Sequence, residues 1–352
     1  MVNSRSALVQ GRRMAAVLSG SWRPIPPEVD FEPAGWDGTA TRLLETGAGG
    51  LGWWRVRGSA LRKRSASQKL HEAFRLHAIE ACVREHRLAL ILERCRAAGA
   101  EPLVAKGWAV ARLYPEVGLR PYGDVDLFVR PEQHAVAATA LAGFRPRELT
   151  VDLHKGCPDL ADHPVSEVWA RSELCTCGVS RVRTAGREDS LRHLCVHLLR
   201  HGAWHPLWLV DVAAAVESAD ATFDWEYCLA GTRQRTHAVV CAVGLAHQLL
   251  GARVDHTPLA DRARCLPRWL APSVLRQWAL RCERLTDLPT VDALHQPLTI
   301  LPALRRRWPN PIESTMSVGG PFNNVPRLPF QLADCLVRTG GFLFRLPNAW
   351  LS

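Results

Sequence analysis

The sequence predicts an α+β protein with an α/β-type core, in which a small sheet is flanked by helices, followed by a mainly helical region. Between residues 103 and 156, short apolar runs typical of strands alternate with segments typical of helices. From residue 186 onward, longer segments carry leucine, valine and alanine at helical spacing. The 352 residues suffice for about two domains, so both parts fit in one chain.

The composition is that of a globular protein with a basic surface. Hydrophobic residues make up 47% of the chain and charged residues 22%, which excludes an intrinsically disordered protein. The net charge of +10 suits polyanionic partners such as nucleotides or nucleic acid, and it equally suits a surface tuned for solubility. Because the chain has no dense Lys/Arg block and no recognised nucleic-acid motif, nucleic acid is a partner that no motif supports.

We expect neither a secretory signal nor a membrane-spanning segment in this sequence. No apolar run approaches the roughly 18 to 20 residues that span a bilayer, and the segment MVNSRSALVQGRRMAAVLSG lacks the apolar core of a secretory signal. The 11 cysteines, an odd and scattered set, are most simply reduced thiols. We therefore expect a soluble, cytoplasmic protein that has no membrane partner.

Four regions of different character are predicted along the chain. The first contains turn-like stretches such as RPIPPEVDFEPAG and TGAGGLGWW, and the last is rich in proline. The regions are an irregular N-terminal extension (1–65), an α/β core (66–185), a helical domain (186–285) and a proline-containing C-terminal segment without a clear secondary structure (286–352).

The core begins with a long helix. Apolar residues recur at helical spacing from Ser65 to Ala98, Ser67 is a candidate N-cap, and Gly99 ends the helix. After this helix, strands are predicted at 103–105, within 120–129 and within 147–156, and a hairpin at 173–184. Further helices are predicted at 108–113, 131–143, 187–202, 205–218, 237–251 and 271–285.

Two carboxylates interrupt the apolar strand within RPYGDVDLFV. Asp124 and Asp126 are two residues apart, so in a strand they project from the same face. Burying two like charges together is unfavourable unless a cation or a proton neutralises them. Mg²⁺ is a cation that is often held by one or two carboxylates together with substrate phosphates.

Three neighbours strengthen a metal-site hypothesis that a lone D-x-D motif supports only weakly. Gly107 follows a strand and begins a helix, where backbone N–H groups could approach a phosphate, and Lys106 beside it supplies positive charge. Asp152 lies on the next predicted strand, and sequential strands are commonly adjacent. A third carboxylate there would complete a site for two metals that clamp an in-line displacement.

Three stretches of the chain match the motifs of a known family in order: KGWAVARLYPEVGLRPYGDVDLFV, VDLHKG and LRHLCVHLLRHGAWHPLWLVDVA. Together they resemble the bacterial uncharacterised nucleotidyltransferase family of the DNA-polymerase-β-like superfamily. The resemblance spans roughly residues 68–220. It implies a mixed sheet flanked by helices and a helical region that closes over a nucleotide. It also implies transfer of a nucleoside monophosphate from an NTP, in a reaction that depends on Mg²⁺ with Mn²⁺ as a substitute metal. We expect the NTP to be ATP. The acceptor would be a small molecule, a peptide, a protein or RNA.

The resemblance also assigns roles to individual residues. Asp124 and Asp126 would hold the metals, and Asp152 would complete the site and help to deprotonate the acceptor hydroxyl. Lys106 and Gly107 would form the phosphate-binding turn. The superfamily usually has Gly-Ser or Gly-Gly at this turn, whereas Trp108 follows Gly107 here, so the serine contact to phosphate is missing.

Several further residues have two interpretations each. Arg120 could pair with Asp124 or reach a phosphate, and Gly123 could bind nucleotide or permit the turn into the strand. His154 and Lys155 could line the nucleotide pocket or be ordinary polar residues at a strand end.

Two groups in the helical region suggest structure more than catalysis. Asp211 lies in an apolar helix and would need a partner such as Arg200 or His201. Histidines recur every four residues on the preceding helix, at positions 193, 197 and 201. A metal-binding stripe is conceivable, but the spacing favours a polar helix face.

Two other functions compete with the enzyme. A catalytically inactive nucleotide- or nucleic-acid-binding protein could keep the same fold, and the substitution at Trp108 supports this alternative. A helical scaffold with an incidental D-x-D motif would bind no nucleotide. Three intact acids favour the enzyme, because a protein that only binds anions gains nothing from clustered negative charge.

Overall fold

A five-stranded mixed sheet forms the framework of the core. The computed structural model describes residues 4–28, 31, 33–144, 149–178, 180–279 and 308–343. The strands are β1 (Leu103–Val104), β2 (Asp124–Val129), β3 (Thr150–Lys155), β4 (Glu173–Cys177) and β5 (Ser180–Thr184). Their order in the sheet is β3-β2-β1-β5-β4. Strands β2 and β3 pair in parallel, as do β1 and β5, and the other neighbours are antiparallel. The predicted α+β class with a mixed sheet is confirmed.

Helices make up most of the remaining described structure. Those that precede or flank the sheet are α1 (Ser4–Leu18), α2 (Trp36–Glu45), α3 (Gly49–Val56), α4 (Ser65–Ala97), α5 (Trp108–Ala111), α6 (His134–Leu141) and α7 (Val165–Ala170). Those that follow it are α8 (Arg187–Arg200), α9 (Pro206–Glu217), α10 (Trp225–Leu229), α11 (Arg233–Leu250), α12 (Ala260–Arg264), α13 (Leu270–Ala279), α14 (Pro311–Ser317) and α15 (Leu328–Leu343). Short 3-10 turns lie at Pro33–Gly35, Ala60–Lys63, Pro131–Gln133 and Pro158–Leu160.

The two faces of the sheet have different chemistry because side chains alternate along a strand. On β2, Val125 and Leu127 are buried in a cluster with Leu88 and Leu92 of α4. The opposite face of β2 carries Asp124, Asp126 and Phe128, and Phe128 packs in a cluster with residues of α7. The apolar face therefore rests on α4, and the carboxylates project toward the other side.

The N-terminal region, which the sequence predicts to be irregular or weakly helical, contains α1, α2 and α3, and their residues share one apolar core with α8, α9, α11 and α13. The glycines of TGAGGLGWW look like turn residues in the sequence, but in α3 they allow close packing. A Cβ on Gly50 would lie 2.5 Å from the backbone oxygen of Gly118, and one on Gly52 would lie 3.0 Å from the side chain of Leu43. The division into four domains remains a prediction.

Several predicted boundaries shift slightly in the structure. Helix α4 spans nearly the predicted range, but Ser67 is not its cap, since its hydroxyl donates to Leu61 O at 2.7 Å and accepts from Trp36 Nε1 at 2.8 Å. The helix predicted from 131 starts as a 3-10 turn, and α6 begins at His134.

The C-terminal predictions are covered only in part. Helix α13 matches the predicted helix up to Ala279, and the rest of that prediction lies outside the described residues. Within the segment 286–352, residues 308–343 contain α14 and α15, and the remainder also lies outside the described residues. Among the helices that the structure describes, none is both long and apolar enough to cross a membrane.

A buried ion pair joins the sheet region to the helical region. Asp211 on α9 is fully buried, and its partner is Arg120, not the predicted Arg200 or His201. Arg120 Nη2 donates to Asp211 Oδ2 at 2.6 Å, and the Tyr114 hydroxyl donates to Asp211 Oδ1 at 2.7 Å. Burial alone would lower the pKa of Arg120, but the Asp211 carboxylate outweighs burial and raises it.

We expect Asp211→Ala to lower the free energy of unfolding by about 3–5 kcal/mol, because the variant leaves the buried Arg120 guanidinium without its counter-charge. Urea denaturation followed by circular dichroism would measure this change. The exposed pair of Asp255 with Arg264 supplies the control, and Asp255→Ala should change stability little. A variant Asp211→Ala as stable as the wild type would show that the pair does not hold the two regions together.

Candidate active site

The turn after β1 presents Lys106 to the neighbouring strand. Gly107 has φ +55°, and a Cβ at this position would lie 3.2 Å from the backbone oxygen of Asp124, so glycine suits both the conformation and the close approach. Trp108, which replaces the usual small residue, is buried and donates from Nε1 to Glu85 Oε1 at 2.8 Å. The indole therefore packs in the core against α4.

Asp126 and Asp152 are brought side by side by strand pairing. They are Cα partners in the parallel pair of β2 and β3, so their side chains project from the same face of the sheet. Asp126 is 6% exposed, whereas the side chain of Asp152 is 61% exposed. One carboxylate therefore forms the floor of the site and the other its solvent-facing edge.

Two basic side chains contact the buried carboxylate. Lys106 Nζ lies 3.1 Å from Asp126 Oδ2, and His154 Nε2 lies 3.0 Å from Asp126 Oδ1. The same His154 nitrogen lies 3.3 Å from Asp152 Oδ2, so the imidazole bridges the two acids. Its ring stacks on Phe128 with the ring centroids 4.8 Å apart, which fixes its orientation.

The other predicted site residues lie around this centre in different ways. Asp124 is exposed at the start of β2, on the same face as Asp126 but outside the close group. Gly123 is exposed and has no positive φ, so the turn does not require glycine there. Lys155 is exposed at the end of β3. The geometry of Arg120 matches neither interpretation, because its donors are taken by Asp211 and by the backbone oxygen of Pro121.

The donor set fits a divalent cation. Ligand atoms of Asp126, Asp152 and His154 all lie within 4.8 Å of one another. Carboxylate oxygens are ligands that Mg²⁺ prefers, and an imidazole nitrogen is accepted by transition metals such as Mn²⁺. Lys106 beside the same carboxylate adds a positive charge that can bind a phosphate.

A second group of side chains joins the histidines of α8 to an acid that the sequence does not place beside them. The prediction of a polar face on α8 is wrong: His193 is 2% exposed, and both it and His197 face Asp159 in the turn after β3. Burial lowers the pKa of both histidines, and the charge of Lys106 lowers it further. The four-residue spacing was the available signal, but nothing in the sequence places Asp159 opposite it.

Arg200 belongs to this second group. Its guanidinium forms an ion pair with Asp159 Oδ1 at 2.5 Å, which explains why it does not serve Asp211. Burial raises the pKa of Asp159, and Arg200 opposes that effect.

The comparison with known families places the whole site inside one match. A family model described as an uncharacterised nucleotidyltransferase matches residues 55–251, more than half of the chain. No curated protein and no solved structure matches the chain. The matched range contains the five strands of the described sheet, the Lys106–Asp126 pair and the helices α8 and α9. By this match and by the site it contains, the chain belongs to the uncharacterised nucleotidyltransferase family.

Proposed function

We propose that the protein is a Mg²⁺-dependent nucleotidyltransferase that transfers a nucleoside monophosphate from an NTP, with ATP as the expected nucleotide, to an acceptor hydroxyl. One observation carries the proposal: Asp126 and Asp152 project side by side from parallel strands, with Lys106 3.1 Å from Asp126. The acceptor would be a small molecule, a peptide, a protein or RNA, since nothing in the site selects among them.

The carboxylates would hold the metal. Asp126 and Asp152, joined by Asp124 at the start of the same strand, offer oxygen ligands on one face of the sheet. When bound, Mg²⁺ would neutralise phosphate charge and orient the phosphate oxygens. His154, fixed against Phe128, holds both acids in position by contacting an oxygen of each.

Basic groups would bind the triphosphate at the turn after β1. Lys106 supplies the charge there, and Gly107 keeps the backbone close without a side chain. Because Trp108 is packed under α4, no hydroxyl assists at this turn, and Lys106 has the larger role. His154 on β3 and Gly123 before β2 border the same face, whereas Lys155 is exposed at the end of β3 and its side chain alternates to the other face. Arg120 pairs with Asp211 of α9.

The transfer step needs no covalent enzyme intermediate. The acceptor oxygen would form a bond to the α-phosphorus while the bond from that phosphorus to the oxygen bridging to the β-phosphate breaks, which releases pyrophosphate. Asp152 is the exposed acid and would take the proton of the acceptor hydroxyl. The chain contributes mainly positioning and electrostatic stabilisation.

One observation favours a second function, the inactive nucleotide-binding protein. Lys106 already neutralises Asp126 without a metal, and His154 contacts the other carboxylate oxygen, as they would in a protein that uses the acid for structure. Titrating ATP with and without Mg²⁺ distinguishes the two functions. The enzyme should bind ATP more tightly with Mg²⁺, whereas a binder that uses only basic groups should be indifferent to the metal.

We expect Asp126→Asn and Asp152→Asn each to lower transfer activity about 100-fold or more, because each removes a metal ligand. The assay is incubation of the protein with each α-³²P-labelled NTP, Mg²⁺ and cell extract, followed by detection of a labelled acceptor. The matched control is Asp261→Asn, an exposed acid on α12, which should label as the wild type does. Wild-type labelling in either site variant would contradict the proposed roles.

We expect Lys106→Met to weaken NTP binding roughly 10- to 100-fold, because a charge-assisted contact to phosphate is lost. Binding of Mg²⁺ without nucleotide should not weaken, since the substitution also removes a cation that competes for Asp126. Isothermal titration of each ligand would separate the two effects, with Lys69→Met on the exposed side of α4 as the control. Unchanged NTP affinity would remove Lys106 from the phosphate site.

A further inference from the structure

Three potential metal ligands converge between the sheet and α8. Asp159 Oδ2 lies 3.4 Å from His193 Nδ1 and 3.9 Å from His197 Nδ1, and the ligand atoms of all three residues lie within 4.8 Å of one another. Asp159 belongs to the 3-10 turn after β3, whereas the two histidines are four residues apart on one face of α8. Two separate elements thus supply one compact set of donors.

His193 has no hydrogen bond to explain its burial. It is 2% exposed, and neither of its ring nitrogens has a hydrogen-bond partner among the described residues. His197 Nδ1 is also buried without a partner. Buried polar atoms are normally satisfied, so nitrogens that meet at one point without partners indicate a missing ligand.

The distances match the coordination of a transition metal. Zinc bonds to nitrogen and oxygen are about 2.0–2.2 Å, so neighbouring ligands in a tetrahedron lie about 3.3–3.6 Å apart. The separations of 3.4 Å and 3.9 Å need only a small adjustment to reach this geometry. Two histidines at this helical spacing are a recurrent way of presenting imidazoles to Zn²⁺.

The protonation states and charges also suit a cation. Burial lowers the pKa of both imidazoles, and a neutral imidazole is the form that coordinates metals. Arg200 is bound to Asp159 Oδ1, which leaves Oδ2 directed at the histidines. The positive charges of Lys106 and Arg200 nearby oppose a cation, and their ion pairs with Asp126 and Asp159 moderate that effect.

We propose that Asp159, His193 and His197 form a second metal site, specific for Zn²⁺ or a cation of similar chemistry. Its remaining coordination position would be taken by water. The site differs from the Asp126–Asp152 group in its residues and in its preference for nitrogen ligands, and it does not depend on the proposed transfer reaction. By joining the turn after β3 to α8, the metal fastens the sheet to the helical region.

The test is a titration of metal-free full-length protein with Co²⁺, followed by its visible absorbance, and with Zn²⁺ in competition against a chromophoric chelator. We expect one Zn²⁺ per chain in the wild type and an increase in melting temperature on adding it. His197→Gln and His193→Leu should each weaken binding about 100-fold or more. His193→Leu should remain folded without metal, because the ring nitrogens it removes make no hydrogen bond and Asp159 keeps its ion pair with Arg200.

Two controls separate this site from its alternatives. His86→Ala removes an exposed histidine on α4 and should bind Zn²⁺ as the wild type does. Asp126→Asn should also keep this Zn²⁺, whatever its effect on nucleotidyl transfer. The proposal is overturned if the wild type binds less than a stoichiometric amount, if binding survives both His197→Gln and His193→Leu, or if it is lost in Asp126→Asn.

Discussion

The buried carboxylate of Asp126 is the constraint on which the site depends. A charge in the interior of a sheet must be compensated, and here Lys106 does so from the turn after β1, while His154 of β3 contacts the other carboxylate oxygen. This requirement explains why the turn at Gly107 approaches β2 so closely, and why the ring of His154 is held against Phe128. A site built in this way has its charges in position before any ligand arrives, which is the arrangement that electrostatic catalysis of phosphoryl transfer uses.

The same principle connects the two halves of the molecule. Asp211 is fully buried in the helical region, and its counter-charge comes from Arg120, just before β2. Conversely, Arg200 of α8 forms an ion pair with Asp159 in the turn after β3. Each half therefore neutralises buried acids of the other. The sheet and the helices above it are positioned by charge as well as by the apolar core.

Two acidic groups lie near each other on one face of the sheet, with different chemistry. Asp126 and Asp152 present mainly oxygen ligands and are open to solvent on one side, whereas Asp159 faces two imidazoles in the interior. Phe128 touches both groups, since it stacks on His154 and meets His193 edge-on at 5.7 Å between the ring centroids. The oxygen ligands of the first group would thus favour a hard cation such as Mg²⁺, and the imidazoles of the second group a borderline cation such as Zn²⁺, with Phe128 between the two groups.

The sequence by itself determined the alternation of strands and helices, the pairing of Asp124 with Asp126 on one face, and the family to which the chain belongs. These features depend on spacing within one element, which a periodicity of two or 3.6 residues makes visible. Only the tertiary structure decided which residue partners Asp211, where Arg200 binds, that α3 is a tightly packed helix, and that the histidines of α8 face inward onto Asp159. Each of those outcomes joins residues far apart in the chain, and the packing of separate elements, which no local pattern encodes, sets their contacts.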